Sequence, residues 1–314
     1  MKKIQNLPKG VIFGSFKKLF KQFEQKFFDT REIDYDANSD GFLLFVSAKT
    51  KLSKPIHIAC LCDESYINSR NLIIMEAESS AELLITYQNI INSHEEALDV
   101  TEVALNKSAT LEMLFFQKTK NLNSEINVRQ AENSRMKTHY IISGSEKVRN
   151  NMNVKLSGVN AEHSVYGLSL TKQSEHVENN IQIVHASPEC QSNQLFKQIL
   201  SDTSTGVFTG RIIVNKDSQK TTAYQRSSNI LLNPKAKMNI RPQLEIYADD
   251  VKCSHGATVG QLDAEALFYL RSRGIGEDEA KRILLQAFAS EIIDNISGKK
   301  LKNDILELLR ATGH

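Results

Sequence analysis

Tryptophan is absent from this 314-residue sequence, and glycine (14) and proline (5) are sparse. Propellers and immunoglobulin-like sandwiches need many Gly- and Pro-punctuated turns, so both are disfavoured. The fold must make its corners with other small or polar residues. The 4 cysteines have no framework spacing, which argues against a disulfide scaffold and sets a reducing, cytoplasmic compartment as the expectation. Charge of either sign is also missing as a block: 39 Lys+Arg against 37 Asp+Glu leave +2. Nucleic-acid binding through phosphate neutralisation is therefore not indicated. No apolar run approaches the roughly 18 residues of a membrane span, and the opening M-K-K-I-Q lacks the apolar centre of a signal peptide. Strings of the G-x-S-x-G, H-E-x-x-H and P-loop types do not occur, leaving neither a catalytic motif nor a nucleotide site.

What is present is ordinary in bulk, 40% hydrophobic and 24% charged, and long enough to bury a core without covalent staples. From about residue 70 to 250, short apolar runs alternate with small, polar corners centred on Ala81, Ala109, Ser134, Ala161 and Cys190. Successive corners lie 28, 25, 27 and 29 residues apart. A repeat of that length marks a stacked array. With no strong helix between corners (residues 194 to 200 are the one possible exception), the array reads as a β-solenoid rather than a helical repeat or a sandwich. Each coil leaves its apolar side open, and stacking closes it.

Three segments follow from this pattern: residues 1–55 as an N-terminal helix and strand, 56–260 as the β-helix core, and 261–314 as a helical subdomain. In the first, Phe16, Leu19, Phe20, Phe23 and Phe27 fall at helical spacing, which suits a helix packed on its own domain better than a membrane-surface helix. In the last, Asp263 stands as an N-cap before a first helix that ends at Gly274. A second helix opens on the acidic Glu277-Asp278-Glu279 and carries Ile283, Leu284, Ala287, Phe288, Ile292 and Ile296. A third carries Leu301, Ile305, Leu308 and Leu309. These helices are expected to cap the solenoid's open end, with docking of another subunit as the alternative role.

The candidate ligands are few. Cys60 and Cys62 share the isoleucine face of a strand, a half metal site on paper but better read as core. His139, His163, His176 and His185, with Glu162 and Glu175, are spread over separate coils and read as surface or corner residues. No pairing of carboxylates suggests a polysaccharide lyase. The stretch from Leu244 to Ile275 differs. From Val251 a two-residue period puts Val251, Cys253, His255, Ala257 and Val259 on one face. A buried core pair would explain Cys253 and His255. So would a face closed by a second chain, since thiolate and imidazole both ligate iron but two residues complete no tetrahedral set.

The run I-Y-A-D-D-V-K-C-S-H-G-A-T-V-G, Ile246 to Gly260, closely resembles the C-terminal signature of the SufD family, scaffold subunits of the Suf iron–sulfur cluster assembly system, and L-P-K-G-V-I-F near the N-terminus is similar to the segment preceding the core domain in SufD and SufB proteins. The resemblance implies a right-handed parallel β-helix flanked by helices and a non-catalytic scaffold. It implies a heterodimer with a SufB-like subunit, and a SufC-like ATPase held by the C-terminal helices. It places His255, with Cys253 as a weaker neighbour, at a transient iron–sulfur cluster shared with that partner, with no permanent cofactor in the isolated chain; it also associates a reduced flavin with such complexes, although no flavin motif shows in this sequence. Family members commonly carry a longer helical region upstream. A homodimer in isolation, a purely structural role, and a β-helix carbohydrate-active enzyme remain the alternatives, with neither nucleic acid nor membrane as partner.

Overall fold

Strand follows strand on alternate sides of one flattened solenoid. The computed structural model describes residues 9–23, 41–62, 68–89, 96–298 and 302–307. One sheet holds nine strands in the order β1 (Val11–Ser15), β2 (Phe42–Val46), β4 (Asn68–Met75), β6 (Ala97–Leu105), β8 (Asn121–Gln130), β10 (Lys147–Leu156), β12 (His176–His185), β14 (Thr205–Val214) and β16 (Lys237–Ile246). The other holds eight: β3 (Ile56–Cys62), β5 (Ser80–Asn89), β7 (Thr110–Lys118), β9 (Arg135–Ser143), β11 (Glu162–Thr171), β13 (Gln191–Leu200), β15 (Thr221–Leu231) and β17 (Val251–Gly260). Every pairing is parallel except β1 with β2. The chain thus winds as a β-solenoid, and residues 194 to 200 belong to strand β13, not to a helix.

The corners explain how so little glycine suffices. Lys49, Glu78, Ser108, Asn133, Asn160, Glu189 and Lys220 all adopt positive φ between 56° and 61°. Each donates its backbone N–H to a carbonyl of the next coil, from Lys49 to Ala77 (2.9 Å) through to Lys220 to Asp250 (2.6 Å). The strain of a left-handed non-glycine residue is offset by a hydrogen bond repeated coil after coil. The residue that follows points inward and is small: Ser79, Ala109, Ser134, Ala161, Cys190 and Thr221 are all buried. Ser134 Oγ donates to the Ala131 carbonyl at 2.6 Å, closing the bend from the side chain.

The lumen carries the main core. Leu83, Ile85, Met113, Phe115, Ile126, Tyr140, Met152 and Ile181 pack inside it, and Phe115 stacks on Tyr140 with ring centroids 5.2 Å apart. Helix α1 (Phe16–Phe23) lies on the outer face of the nine-stranded sheet, Phe16 buried against Leu43, Phe45, Leu72 and Ile74. That agrees with a helix serving its own domain; Phe27 lies outside the described residues.

The expectation that the C-terminal helices cap the solenoid is corrected. Helix α3 (Glu277–Ile293) lies along the outer face of the eight-stranded sheet, burying Leu285, Ala289, Ile292 and Ile293 against Ile141, Leu168, Leu195 and Ile199. The strands under it are apolar on both faces, so the helix has a lateral surface to cover. Its buried stripe is therefore rotated from the expected one: Ile283 and Leu284 are half-buried and Ala287 is exposed. Lys197 of β13 fixes the contact, donating to the Phe288 carbonyl (2.7 Å) and pairing with Glu291 (2.8 Å). Arg226 of β15 pairs with the same carboxylate. Of the third helix, residues 302–307 are helical and Ile305 is buried under the same cluster; Leu301, Leu308 and Leu309 lie outside the described residues.

Candidate functional site at the last rung

Register settles which way each residue of β17 points. Val251, Cys253, His255, Ala257 and Val259 align with Thr221, Ala223, Gln225, Ser227 and Asn229 of β15, all buried or nearly so and all facing the lumen. The face expected from the two-residue period is therefore the inner one. It is not covered. β16 and β17 are the edge strands of their sheets, and beyond them nothing in the described residues closes the coil. Cys253 is half-buried beside Leu244, Val251 and the buried Ala248, while His255, Ala257 and Val259 are exposed. Burial pushes the Cys253 thiol above its usual range, so on its own the chain holds it as thiol rather than thiolate.

Large apolar side chains are exposed on this rung and in the segments before and after it, among the exposed charges of Asp249, Asp250 and Lys252. Ile246, Tyr247, Val259, Phe268 and Tyr269 are exposed, Phe268 to 73%. The last two sit on helix α2 (Ala264–Ser272), where Asp263 Oδ1 accepts from the amides of Glu265 (2.9 Å) and Ala266 (3.2 Å) as an N-cap should. This helix buries no residue of its own. Gly256 and Gly260 of β17 are not required by their own chain either, since a Cβ at either would meet nothing within 4 Å. On the outer side of the rung, Tyr224, Arg226, Ser254, Asn193, Glu291 and Asn295 help line a groove of ≈ 550 Å³ that reaches His255.

The other sequence candidates do not join this site. Cys60 is buried in the core, and of the Cys62 side chain nothing is described. His139, His163 and His185 are fully buried on strands, not at surfaces or corners, and that expectation is corrected. His163 and His185 point into the lumen, where desolvation lowers them to about 3 and about 4 and keeps both rings neutral. His139 points outward beneath the C-terminal helical region, stacked on Tyr166 (5.1 Å between ring centres) with its Nε2 3.3 Å from the Glu112 carboxylate. No cluster of three or more metal-ligating side chains occurs among the described residues. No helix among them is long and apolar enough to cross a membrane.

Residues 60–288 match the family described as "SUF system FeS cluster assembly, SufBD core domain". The chain belongs to the SufBD family. Within it the relatives include the iron–sulfur cluster assembly protein SufD of Escherichia coli, 38% identical over 56% of this chain and 42% of that protein. Protein ABCI7, chloroplastic, of Arabidopsis thaliana is 28% identical over 95% of this chain and 68% of its own length. A SufBD family iron–sulfur cluster assembly protein of Synechocystis is 29% identical over 82% and 60%. The matches thus span less than two thirds of the bacterial and cyanobacterial relatives. The SufD-like character expected from Ile246 to Gly260 agrees with these relationships, and the stacked coils, open terminal rung and flanking helices are the form this SufBD core takes here.

Proposed function

We propose that this chain is a non-catalytic, cytoplasmic scaffold subunit of a Suf-type complex, pairing through its last rung with a SufB-like subunit. A single observation carries the reading. An inward-facing thiol and imidazole are presented on an edge strand that the described residues leave open. Unpaired strand edges bordered by apolar side chains are surfaces that a second chain covers. The two glycines of β17, free of neighbours, leave room for a close backbone approach.

At that interface His255 and, more weakly, Cys253 ligate a transient iron–sulfur cluster, with the remaining ligands from the partner. The cluster is cargo: an incomplete donor set on each chain holds it without keeping it. A thiol raised above its usual range becomes a good ligand only when a metal or a partner's charge displaces its proton, which ties ligation to assembly. Helix α2, capped yet burying nothing, together with α3 forms the dock for a SufC-like ATPase. Anaerobic reconstitution with SufB- and SufC-like partners tests the scheme. His255→Ala should lose most cluster loading and leave the heterodimer intact. Unchanged loading removes His255 from the ligand set. Capture of the ATPase undiminished by Phe268→Ala/Tyr269→Ala removes α2 from the dock.

A further inference from the structure

Side chains that point into a solenoid lumen are normally apolar, and four amides break that pattern in the last enclosed coils. Gln194 and Gln198 of β13 and Gln225 and Asn229 of β15 all point inward, none more than 3% exposed. Register pairs Gln194 with Gln225 and Gln198 with Asn229, so the four form a block two strands wide. Facing them across the lumen are Gly206 and Gly210 of β14. A Cβ at Gly206 would fall 2.6 Å from Gln198 Oε1, and one at Gly210 would fall 2.5 Å from Gln225 Oε1. The two glycines make the space that the amides occupy.

Some of the amide atoms are satisfied within the protein. Gln225 Nε2 donates to the Gly210 carbonyl at 3.3 Å, and Asn229 Nδ2 donates to Ser227 Oγ and to the Thr258 carbonyl, both at 3.0 Å. Both polar atoms of Gln194, both of Gln198, Gln225 Oε1 and Asn229 Oδ1 have no partner. Left dry, that many orphaned atoms would cost about as much as the whole stability of a typical domain. Buried polar atoms in such numbers are satisfied by internal water, each molecule bridging several of them. No charged side chain belongs to the block, so its occupant is neutral and both donates and accepts.

The block also has a direction. Gln194 aligns with Gln225, and Gln225 aligns with His255 on the open rung, all three pointing inward. An imidazole that ligates a metal is held by a hydrogen bond at its other ring nitrogen, and loss of that bond typically weakens binding by about 10- to 100-fold. We propose that the lumen between β13, β14 and β15 is an uncharged, water-holding chamber. Its waters continue the Gln194–Gln225 column to the last rung, and Gln225 is a positioning residue that fixes the ring of His255. The chamber stands on the orphaned amides alone; the positioning role rests on the reading of His255 as a cluster ligand.

Two measurements on the full chain test it. Oxygen-17 relaxation dispersion counts long-lived internal waters, and the count should fall in Gln194→Leu/Gln225→Met. Nitrogen-15 spectra of labelled histidine at about pH 8.5, above the ordinary imidazole range, report the tautomer ratio of His255. That ratio should shift in Gln225→Met and return in Gln225→Glu, which keeps an acceptor in place. A wild-type chain without long-lived waters overturns the chamber, whatever the variants do. An unmoved tautomer ratio overturns the positioning role. If the ratio moves while His255→Ala leaves cluster loading unchanged, the ligand reading fails and the water count alone decides the chamber; if loading collapses while water count and ratio are unmoved, the ligand reading holds and both the chamber and the positioning role fail.

Discussion

Acidification should unfold this solenoid from the inside, through two histidines that have no part in the proposed site. His163 Nδ1 lies 2.6 Å from Gln130 Oε1, and Gln130 Nε2 already donates to the Glu162 carbonyl at 3.0 Å. The amide is thereby oriented so that its oxygen accepts, and the neutral ring donates from Nδ1. His185 sits with Nε2 2.8 Å from Ser192 Oγ. Burial lowers the two from the ordinary 6.5 to about 3 and about 4. A histidine whose folded value is depressed binds its proton first in the unfolded chain. Its contribution is therefore complete above about pH 6.5 and is lost as pH falls from there toward the folded value. Each group costs about 1.4 kcal/mol per pH unit in that window. Together, at pH 5, they remove about 4 kcal/mol from a stability that for typical domains is only about 5–15 kcal/mol. Glu102 and Glu175, raised by burial, work in the opposite sense and stabilise the fold as pH falls. Absolute slopes therefore mix both signs, and the decisive quantity is a difference. Urea unfolding at half-unit steps from pH 7 to 4.5 should show the double variant His163→Asn/His185→Asn losing stability less steeply than wild type, by about 3 kcal/mol per pH unit below 6. Parallel profiles for the two proteins would refute the argument that burial holds these rings neutral.

Two further perturbations probe the packing on either side of the eight-stranded sheet. Gly167 faces the lumen, and a Cβ there would stand 2.3 Å from Cδ1 and Cε1 of Phe196, which is itself tilted against Phe208 at 4.6 Å. Gly167→Ala should cost about 1–3 kcal/mol by overpacking, read as a lowered Tm, and Phe196→Leu in the same chain should recover part of it. On the outer face, Leu285→Ala removes a fully buried anchor of α3 and should cost about 2–5 kcal/mol. Amide exchange should speed up in α3 well before it does in the lumen strands, and uniform acceleration would mean that α3 and the solenoid open as one unit.

The sequence announced the coils through their corners, because every coil must bend at the same place and the inward residue after each bend must be small. It could not announce that these bends use left-handed Lys, Glu, Ser and Asn, because the hydrogen bond that offsets the strain comes from a neighbouring coil 24 to 30 residues away. The run Q-L-F-K-Q-I-L misled for a related reason. Gln194, Phe196 and Gln198 face the lumen while Leu195 and Ile199 face α3, so a strand covered on both sides loses the alternation that identifies strands. The same lost alternation was the available signal that a helix lies across this face rather than over the end. The buried histidines were hidden differently: polar residues of the inner and outer faces alternate alike, and only the register of whole strands tells His163 from Glu162.

That reasoning bears most directly on Cys253 and His255. Alternation alone gives them an inner face, and an inner face in any earlier coil means burial, as it does for Gln194 and Gln225 in the same column. What makes the last coil different is position, since among the described residues β16 and β17 have no strand beyond them to stack on. A chain selected only for its own stability would end such a stack with polar inward residues or fold a helix over it. This one has α2 and α3 at hand, lays α3 along the side, and leaves Val259 of the last rung and Phe268 and Tyr269 of α2 in solvent. The uncovered thiol and imidazole fit the proposed reading, in which a second chain's last rung completes the stack and its donors complete the ligand set.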